Sequence, residues 1–175
     1  SMFVNPLQFG EDEDLDQYPR TLAQDLAQLG ALGVGAVFVP TVEELYPNGL
    51  ESAQTLVNPP THLIDDLCGR SRPGHFEGVA TVVSKFFNII QPNYALFGEK
   101  DYQQLKVVEQ MVEDLNYPIE ILSAPIIREE SGLARSSRNH YLTPQEKEAS
   151  TLLYQTLKGV EEKILAGERN YQDLE

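Results

Sequence analysis

Three stretches of the chain carry residues whose types and spacing suit anion chemistry. Gly98-Glu99-Lys100-Asp101 follows the apolar run Tyr94 to Phe97 and leads into Tyr102-Gln103-Gln104-Leu105, which opens a helical pattern. A glycine there lets a ligand approach the backbone, Lys100 is a point charge for phosphate, and Asp101 could accept from a ribose hydroxyl. The same residues have a plainer use, with Asp101 as a helix N-cap, Gln104 completing a capping-box variant and Lys100 simply solvated. The second stretch is Gly132-Leu133-Ala134-Arg135-Ser136-Ser137-Arg138-Asn139. Two arginines flanking two serines after a glycine turn supply guanidinium forks and short hydroxyl donors, enough to hold a phosphate chain. The competing use is a polar loop whose arginines pair with carboxylates such as Glu129 and Glu130. In the third stretch, Arg70 to Val79, Arg72 could steer an anion and His75 could titrate near neutrality. A lone histidine beside a Pro-Gly turn is more often a structural hydrogen-bonder.

Composition narrows the partners. Against 27 acidic side chains the 175 residues carry 13 basic ones, a formal charge of −14, with a pI near 4.5. Phosphate polymers and anionic lipid surfaces are repelled by such a chain, so neither nucleic acid nor membrane is an expected partner. In that acidic background Arg128, Arg135 and Arg138 fall close together, which sharpens the second stretch. The most apolar run, Ala31 to Pro40, contains two glycines and is far short of the roughly twenty residues that span a bilayer. The opening Ser-Met-Phe-Val-Asn-Pro has neither a basic nor a long apolar region, so no signal peptide is expected. A single cysteine, Cys68, forms no internal bridge and fits a reducing, cytoplasmic setting; by default it reads as buried. Neither G-x-x-x-x-G-K-[ST] nor G-x-G-x-x-G occurs, and His62, His75 and His140 lack metal-ligand spacing.

The elements that must position these residues follow from periodicity. Short β-branched or aromatic runs alternate with longer 3.6-period segments, the pattern of βαβ units around a parallel sheet. Ala36 to Val39, Tyr94 to Phe97 and Ile119 to Leu122 are the expected strands, apolar enough to be covered on both faces, and Phe3-Val4 also reads as strand. Helical stripes run through Leu22, Leu26 and Leu29; through Val79, Val82, Val83, Phe87 and Ile90; and through Leu105, Val108, Val112 and Leu115. Tyr46 to Pro60 reads as an excursion loop. Thr143-Pro144-Gln145-Glu146 spells a capping box with proline at the first helical position, so a long helix should start there and end near Gly167. In such a sheet the ligand lies beyond the carboxyl ends of the strands, which is where the first two stretches fall.

Read in order, Phe3 to Phe9 (FVNPLQF), Tyr18 to Thr21, Tyr46 to Gly49, Arg72 to Phe76, Phe97 to Gln104 (FGEKDYQQ) and Ser136 to Asn139 (SSRN) closely resemble the pantothenate synthetase family, the pantoate:β-alanine ligases. The resemblance implies a three-layer Rossmann-like α/β fold of the adenylate-forming nucleotidyltransferase type. It implies ATP with Mg2+, (R)-pantoate and β-alanine as reactants, a pantoyl adenylate intermediate, a cytoplasmic enzyme and a homodimer. Position by position, Gln8 and Gln104 match the glutamines that hold pantoate, and Gly98, Glu99, Lys100 and Asp101 match the ATP loop. Arg135, Ser136, Ser137 and Arg138 match the phosphate-binding loop, and Ile127 a main-chain contact to adenine. Lys100 and Arg138 are the expected catalytic charges. Arg135 departs from the Met or Leu of the family pattern and Cys68 from its Glu. The family's P-T-M-G-x-L-H-x-G-H segment, whose histidines act on the ATP phosphates, is not in this sequence. The expectation is therefore a fragment, with 1–142 a partial Rossmann-like domain and 143–175 the beginning of a lid domain, inactive by itself. Two other readings stay open: a related nucleotidyltransferase acting on another substrate, and a non-catalytic module that binds nucleotide or pantoate.

Overall fold

The runs Tyr94 to Phe97 and Ile119 to Leu122 do pair. In the computed structural model, which describes residues 1–50 and 54–174, they become β1 (Tyr94–Gly98) and β2 (Glu120–Ala124), parallel and in register from Tyr94 opposite Glu120 to Gly98 opposite Ala124. Parallel strands need a crossover, and the third apolar stripe supplies it. The helices in chain order are α1 (Leu22–Ala31), α2 (Val42–Leu45), α3 (Thr61–Ile64), α4 (Leu67–Ser71), α5 (His75–Ile90), α6 (Tyr102–Asp114) and α7 (Pro144–Leu165). Short 3-10 turns cover Pro6–Gln8, Glu99–Asp101, Ser137–Tyr141 and Tyr171–Leu174. The α/β class with a parallel sheet is thus the one expected. Of the expected excursion Tyr46 to Pro60, residues 51–53 lie outside the described residues, as does Glu175. The chain divides into two compact units, Ser1–Ala124 and Pro125–Glu175.

In the first unit the core forms where α5 and α6 cover one face of the two strands. Val79, Ala80, Val82, Val83 and Phe87 from α5 and Val107, Val108 and Met111 from α6 are buried together, with Ala95, Phe97 and Ile121 packed against them. The alternate strand positions are not covered as expected: Tyr94 is 63% and Leu96 67% exposed. Side chains alternate across a strand, so helices on one side leave every second residue open. The segment Ala36 to Val39 is extended but not a strand; it meets the start of the chain in a single main-chain bond, Met2 N–H to Phe38 O at 2.8 Å. One bond is not a ladder. The stripe Leu22, Leu26, Leu29 forms a helix, yet Leu22 and Leu26 remain over 40% exposed and α1 buries no residue.

The amino-terminal turn docks on the start of α5. Asn5, 2% exposed, donates from Nδ2 to Gly78 O at 3.0 Å. A Cβ on Gly78 would stand 2.5 Å from Leu7 O and 2.8 Å from Gln8 N, so the helix and the Pro6–Gln8 turn touch backbone to backbone. Arg72, just before α5, grips Glu13 with Nε to Oε1 at 2.6 Å and a second bond from Nη2, pinning the acidic segment that follows the turn. That hydrogen bond holds the Glu13 carboxyl below its ordinary range, against the opposing effect of burial, and the Arg72 charge adds to it.

The second unit is carried by α7. Its capping box forms as written in the sequence, with Thr143 Oγ1 accepting from Glu146 N–H and Glu146 Oε2 accepting from Thr143 N–H at 2.7 Å. At the other end Gly167 takes φ +106, and the bonds Gly167 N–H to Ile164 O and Glu168 N–H to Lys163 O close a Schellman motif.

Two measurements test this docking. Gly78→Ala should lower stability by about 1–3 kcal/mol, because backbone on both sides must move to admit the methyl; an unchanged urea midpoint would refute the close contact. Glu13→Gln should cost about 1.5–3 kcal/mol at pH 7, as for a hydrogen bond between charged partners. Since the folded carboxyl has the lowered pKa, that stability is present above the free value of 4.5 and is lost as the pH falls through the folded value. Melting curves of wild type and variant should converge in acid.

Candidate functional site

Short connections decide where the expected residues lie. Only three residues join α5 to β1, and Gln91 turns the chain in the left-handed region at φ +50. The helix therefore runs back against the strand, and α6, which follows β1 through the single turn Glu99–Asp101, does the same. Both helices begin at the carboxyl end of the sheet. There a parallel α/β sheet presents helix N-termini and strand exits to a ligand.

Lys100 and its neighbours occupy that end. Gly98 is extended, at φ −78 and ψ 135, and a Cβ there would meet nothing within 4 Å, so open space adjoins the backbone. Glu99 is not free to act on a ligand with both oxygens, since Oε1 accepts from Ser123 Oγ at 2.9 Å and ties the loop to β2. Lys100 Nζ stands 3.3 Å from Asp101 Oδ1 with both side chains solvated. Asp101 precedes α6 but caps it with no side-chain bond, so the capping-box variant does not form and its carboxylate faces the lysine instead. Gln104 lies half-buried in the first turn of α6.

Gln8 reaches the same end from the docked amino-terminal turn. Its carbonyl accepts from His75 Nδ1 at 2.8 Å and from Arg72 Nη2 at 3.3 Å. Because the Gln8 oxygen only accepts, His75 carries its proton on Nδ1, and Nε2 can accept from Arg72 Nη1 at 3.1 Å. The histidine is 9% exposed, a structural hydrogen-bonder, and Arg72 is paired with Glu13. The third stretch therefore supports Gln8, with the Arg72 charge engaged by the Glu13 carboxylate.

In the second unit, Ile127 to Arg135 forms a small hairpin. Glu129 N–H bonds Leu133 O at 2.8 Å, Arg135 N–H bonds Ile127 O at 2.9 Å, and Gly132 turns at φ +91. Arg128, expected to join the anion kit, stacks 3.9 Å over the Tyr154 ring and donates to Gly132 O. It is thereby withdrawn from the kit. Arg135, Ser137 and Arg138 are exposed beyond the hairpin. Ser136 Oγ accepts from Arg138 N–H at 3.3 Å, capping the turn Ser137–Tyr141, and Asn139 Nδ2 donates to Ala134 O at 3.0 Å. Ile127 is 61% exposed with its carbonyl engaged in the hairpin.

Two residues matter more than their sequence context indicated. Gln103, beside the expected Gln104, donates from Nε2 to Leu63 O and Asp66 O, both at 2.9 Å, and its Oε1 accepts from Cys68 N–H at 3.1 Å. It staples α3 and α4 to the start of α6. Only its place in a paired Gln-Gln hinted at a division of labour. Cys68, expected to be buried, is exposed, because this staple uses its main chain and turns its side chain out. Glu13, the partner of Arg72, stands in an acidic run with nothing to single it out. Among the described residues no group of three or more His, Cys, Asp or Glu side chains could hold a metal ion, and no helix is long and apolar enough to cross a membrane.

Comparison with known proteins agrees with this arrangement. Residues 1–175 match the family model described as pantoate-beta-alanine ligase. The pantothenate synthetase of Pseudomonas entomophila is 58% identical over 174 residues, covering 99% of this chain and 60% of that protein; that of Alkalilimnicola ehrlichii is 56% identical over 175 residues, again 60% of its length. Among solved structures, a pantothenate synthetase from Thermus thermophilus superimposes with a TM-score of 0.90 at 50% identity, covering 94% of this chain and 59% of that one. A pantoate-beta-alanine ligase from Francisella tularensis, crystallised with beta-gamma ATP and beta-alanine, gives a TM-score of 0.83 at 39% identity over 90% of this chain and 59% of that one. The chain thus spans about 60% of the length of the relatives it matches. Matched along its whole length, this chain belongs to the pantoate-beta-alanine ligase family.

Proposed function

We propose that the whole protein joins (R)-pantoate to β-alanine at the expense of ATP, forming pantothenate, AMP and pyrophosphate. The observation that carries this reading is the family match along the entire chain, and the Francisella relative bound to beta-gamma ATP and beta-alanine supports two of the three reactants. In the first step a pantoate carboxylate oxygen attacks the α-phosphorus and the bond to pyrophosphate breaks. In the second, the β-alanine amine attacks the acyl carbon and AMP departs with the carboxylate oxygen. Gln8 and Gln104 orient pantoate. Gly98, Glu99, Lys100 and Asp101 form one ATP loop; Ile127 meets adenine through its main chain; Arg135, Ser136, Ser137 and Arg138 form the phosphate loop. Lys100 and Arg138 are the catalytic charges, offsetting negative charge on the α-phosphate and departing pyrophosphate. Magnesium enters as the ATP complex. The reading extends to a cytoplasmic homodimer in which residues 1–142 belong to the Rossmann-like domain and 143–175 open the lid.

A preorganised donor aimed at developing charge is worth about 100- to 1,000-fold in rate. In the full-length protein, Lys100→Ala should therefore lower kcat by about that factor in an AMP-release assay with magnesium and saturating substrates, and near-wild-type turnover would refute its assignment. Isothermal titration should give pantoate heat that vanishes in Gln104→Ala; ATP binding indifferent to pantoate would instead favour a related enzyme with a different acid. The 175-residue chain assayed alone should show no useful synthesis, and turnover within about tenfold of full length would mean the catalytic charge has been misplaced.

A further inference from the structure

We propose that Tyr46 is a positioning residue: through Asn5 it fixes the side-chain amide of Gln8 so that Gln8 meets the bound acid as a hydrogen-bond donor. The inference rests on the assignment of Gln8 to pantoate. It starts from one chain of hydrogen bonds that links the neighbours Asn5 and Gln8 to Tyr46, remote from both in sequence. Tyr46 Oη donates to Asn5 Oδ1 at 2.7 Å; Asn5 Nδ2 donates to Gly78 O at 3.0 Å and to Gln8 Oε1 at 3.3 Å. Tyr46 is 3% and Asn5 2% exposed, so neither can exchange these partners for water.

The direction of the chain is fixed by chemistry. Gly78 O can only accept, so the Asn5 atom facing it is the NH2 group; the opposite orientation would set two acceptors against each other in the interior. Asn5 Oδ1 then faces Tyr46, whose hydroxyl must donate. Burial pushes the Tyr46 phenol up to about 12, so that proton stays in place through the neutral range. The second Asn5 N–H points at Gln8, which must answer with its oxygen. With the oxygen taken by Asn5, the NH2 group is what Gln8 can offer to a ligand. A carboxylate or alkoxy oxygen satisfies that donor, and a ligand group that only donates does not.

The surroundings hold Tyr46 to this task. α2 ends beneath it with Tyr46 N–H bonded to Val42 O at 2.7 Å, and the α2 capping box of Thr41 and Glu44 fixes that short helix. Lys85 Nζ lies 5.1 Å over the ring while donating to Leu45 O at 2.7 Å, and Phe3 packs at 6.4 Å between centroids. At the other end, the close approach of Gly78 to Leu7 O and the His75 bond to Gln8 O lock the Gln8 backbone. Backbone and side-chain amide are thus fixed by separate elements, and Tyr46 serves only the latter.

The test uses the full-length protein, with pantoate affinity by isothermal titration and pantoate KM by AMP release. Tyr46→Phe should weaken pantoate binding about tenfold, the effect of one buried hydrogen bond, with ATP binding unchanged. If Tyr46 acts through Gln8, Tyr46→Phe added to Gln8→Ala should cause no further loss. A merely structural tyrosine would give independent, multiplying losses, and that result would overturn the proposal. So would Tyr46→Phe binding pantoate as wild type does. Gln8→Glu keeps the acceptor for Asn5 but replaces the donor, disturbs no core residue, and should bind pantoate no better than Gln8→Ala; wild-type binding by Gln8→Glu would also overturn the proposal. Undiminished pantoate binding in Gln8→Ala is a different failure, since it removes Gln8 from the acid site and the latch with it.

Discussion

The contact on which the rest of the first unit depends is the approach of α5 to the Pro6–Gln8 turn at Gly78. A helix carrying any side chain at that position would stand off the turn, because its Cβ would lie within 3 Å of the Leu7 and Gln8 backbone. With glycine there, the Gly78 carbonyl is free to accept from Asn5 and the first turn of α5 to present His75 to Gln8 O. Asn5 in turn collects the Tyr46 hydroxyl from the end of α2. Segments remote in sequence therefore meet at one hydrogen-bonded point, and buried polar groups satisfied in this way specify a single arrangement where apolar packing alone would tolerate several.

A second organising constraint is the pair of reversals around β1. Because α5 and α6 both run back along the strands, the start of each lies at the carboxyl end of the sheet, and side chains in the first turns of two helices share one end of the fold. Gln103 uses that placement structurally, gathering the main chain of α3 and α4, while its neighbour Gln104 lies half-buried in the same turn. Adjacent residues on a helix are separated by about 100° around its axis, so a Gln-Gln pair can serve the scaffold with one member and a ligand with the other. Asp101 shows a similar division, giving up the helix cap to face Lys100.

Much of this was legible in the residues. The capping box at Thr143 and the glycine stop at Gly167 are local chemistry, decided within about five residues, and both formed as written. The stripes of α5 and α6 carried through, since a 3.6-residue period reports which face must leave water, and the two apolar runs paired as β1 and β2, although only one face of each is covered where both were expected to be. The failures share a cause. Ala36 to Val39 has strand composition but finds one backbone partner, Leu22 and Leu26 make an apolar stripe that stays exposed, and Cys68 is turned outward by a staple from Gln103. In each case the outcome depends on a neighbour distant in the chain.

By itself, then, the sequence determined the α/β class, both ends of α7, the family through its ordered motifs, and the residue types able to meet an anion, because these are set by local periodicity and side-chain chemistry. Only the tertiary structure decided which members of those motifs are spoken for. It withdrew Arg128 to the Tyr154 ring, paired Arg72 with Glu13, and made His75 a donor to the Gln8 backbone. It also joined Tyr46 to Asn5, and through it to Gln8, a link that no spacing rule makes. A hydrogen bond needs its partners within about 3 Å at a fixed angle, and no one-dimensional pattern encodes that distance between residues as far apart in the chain as Asn5 and Tyr46.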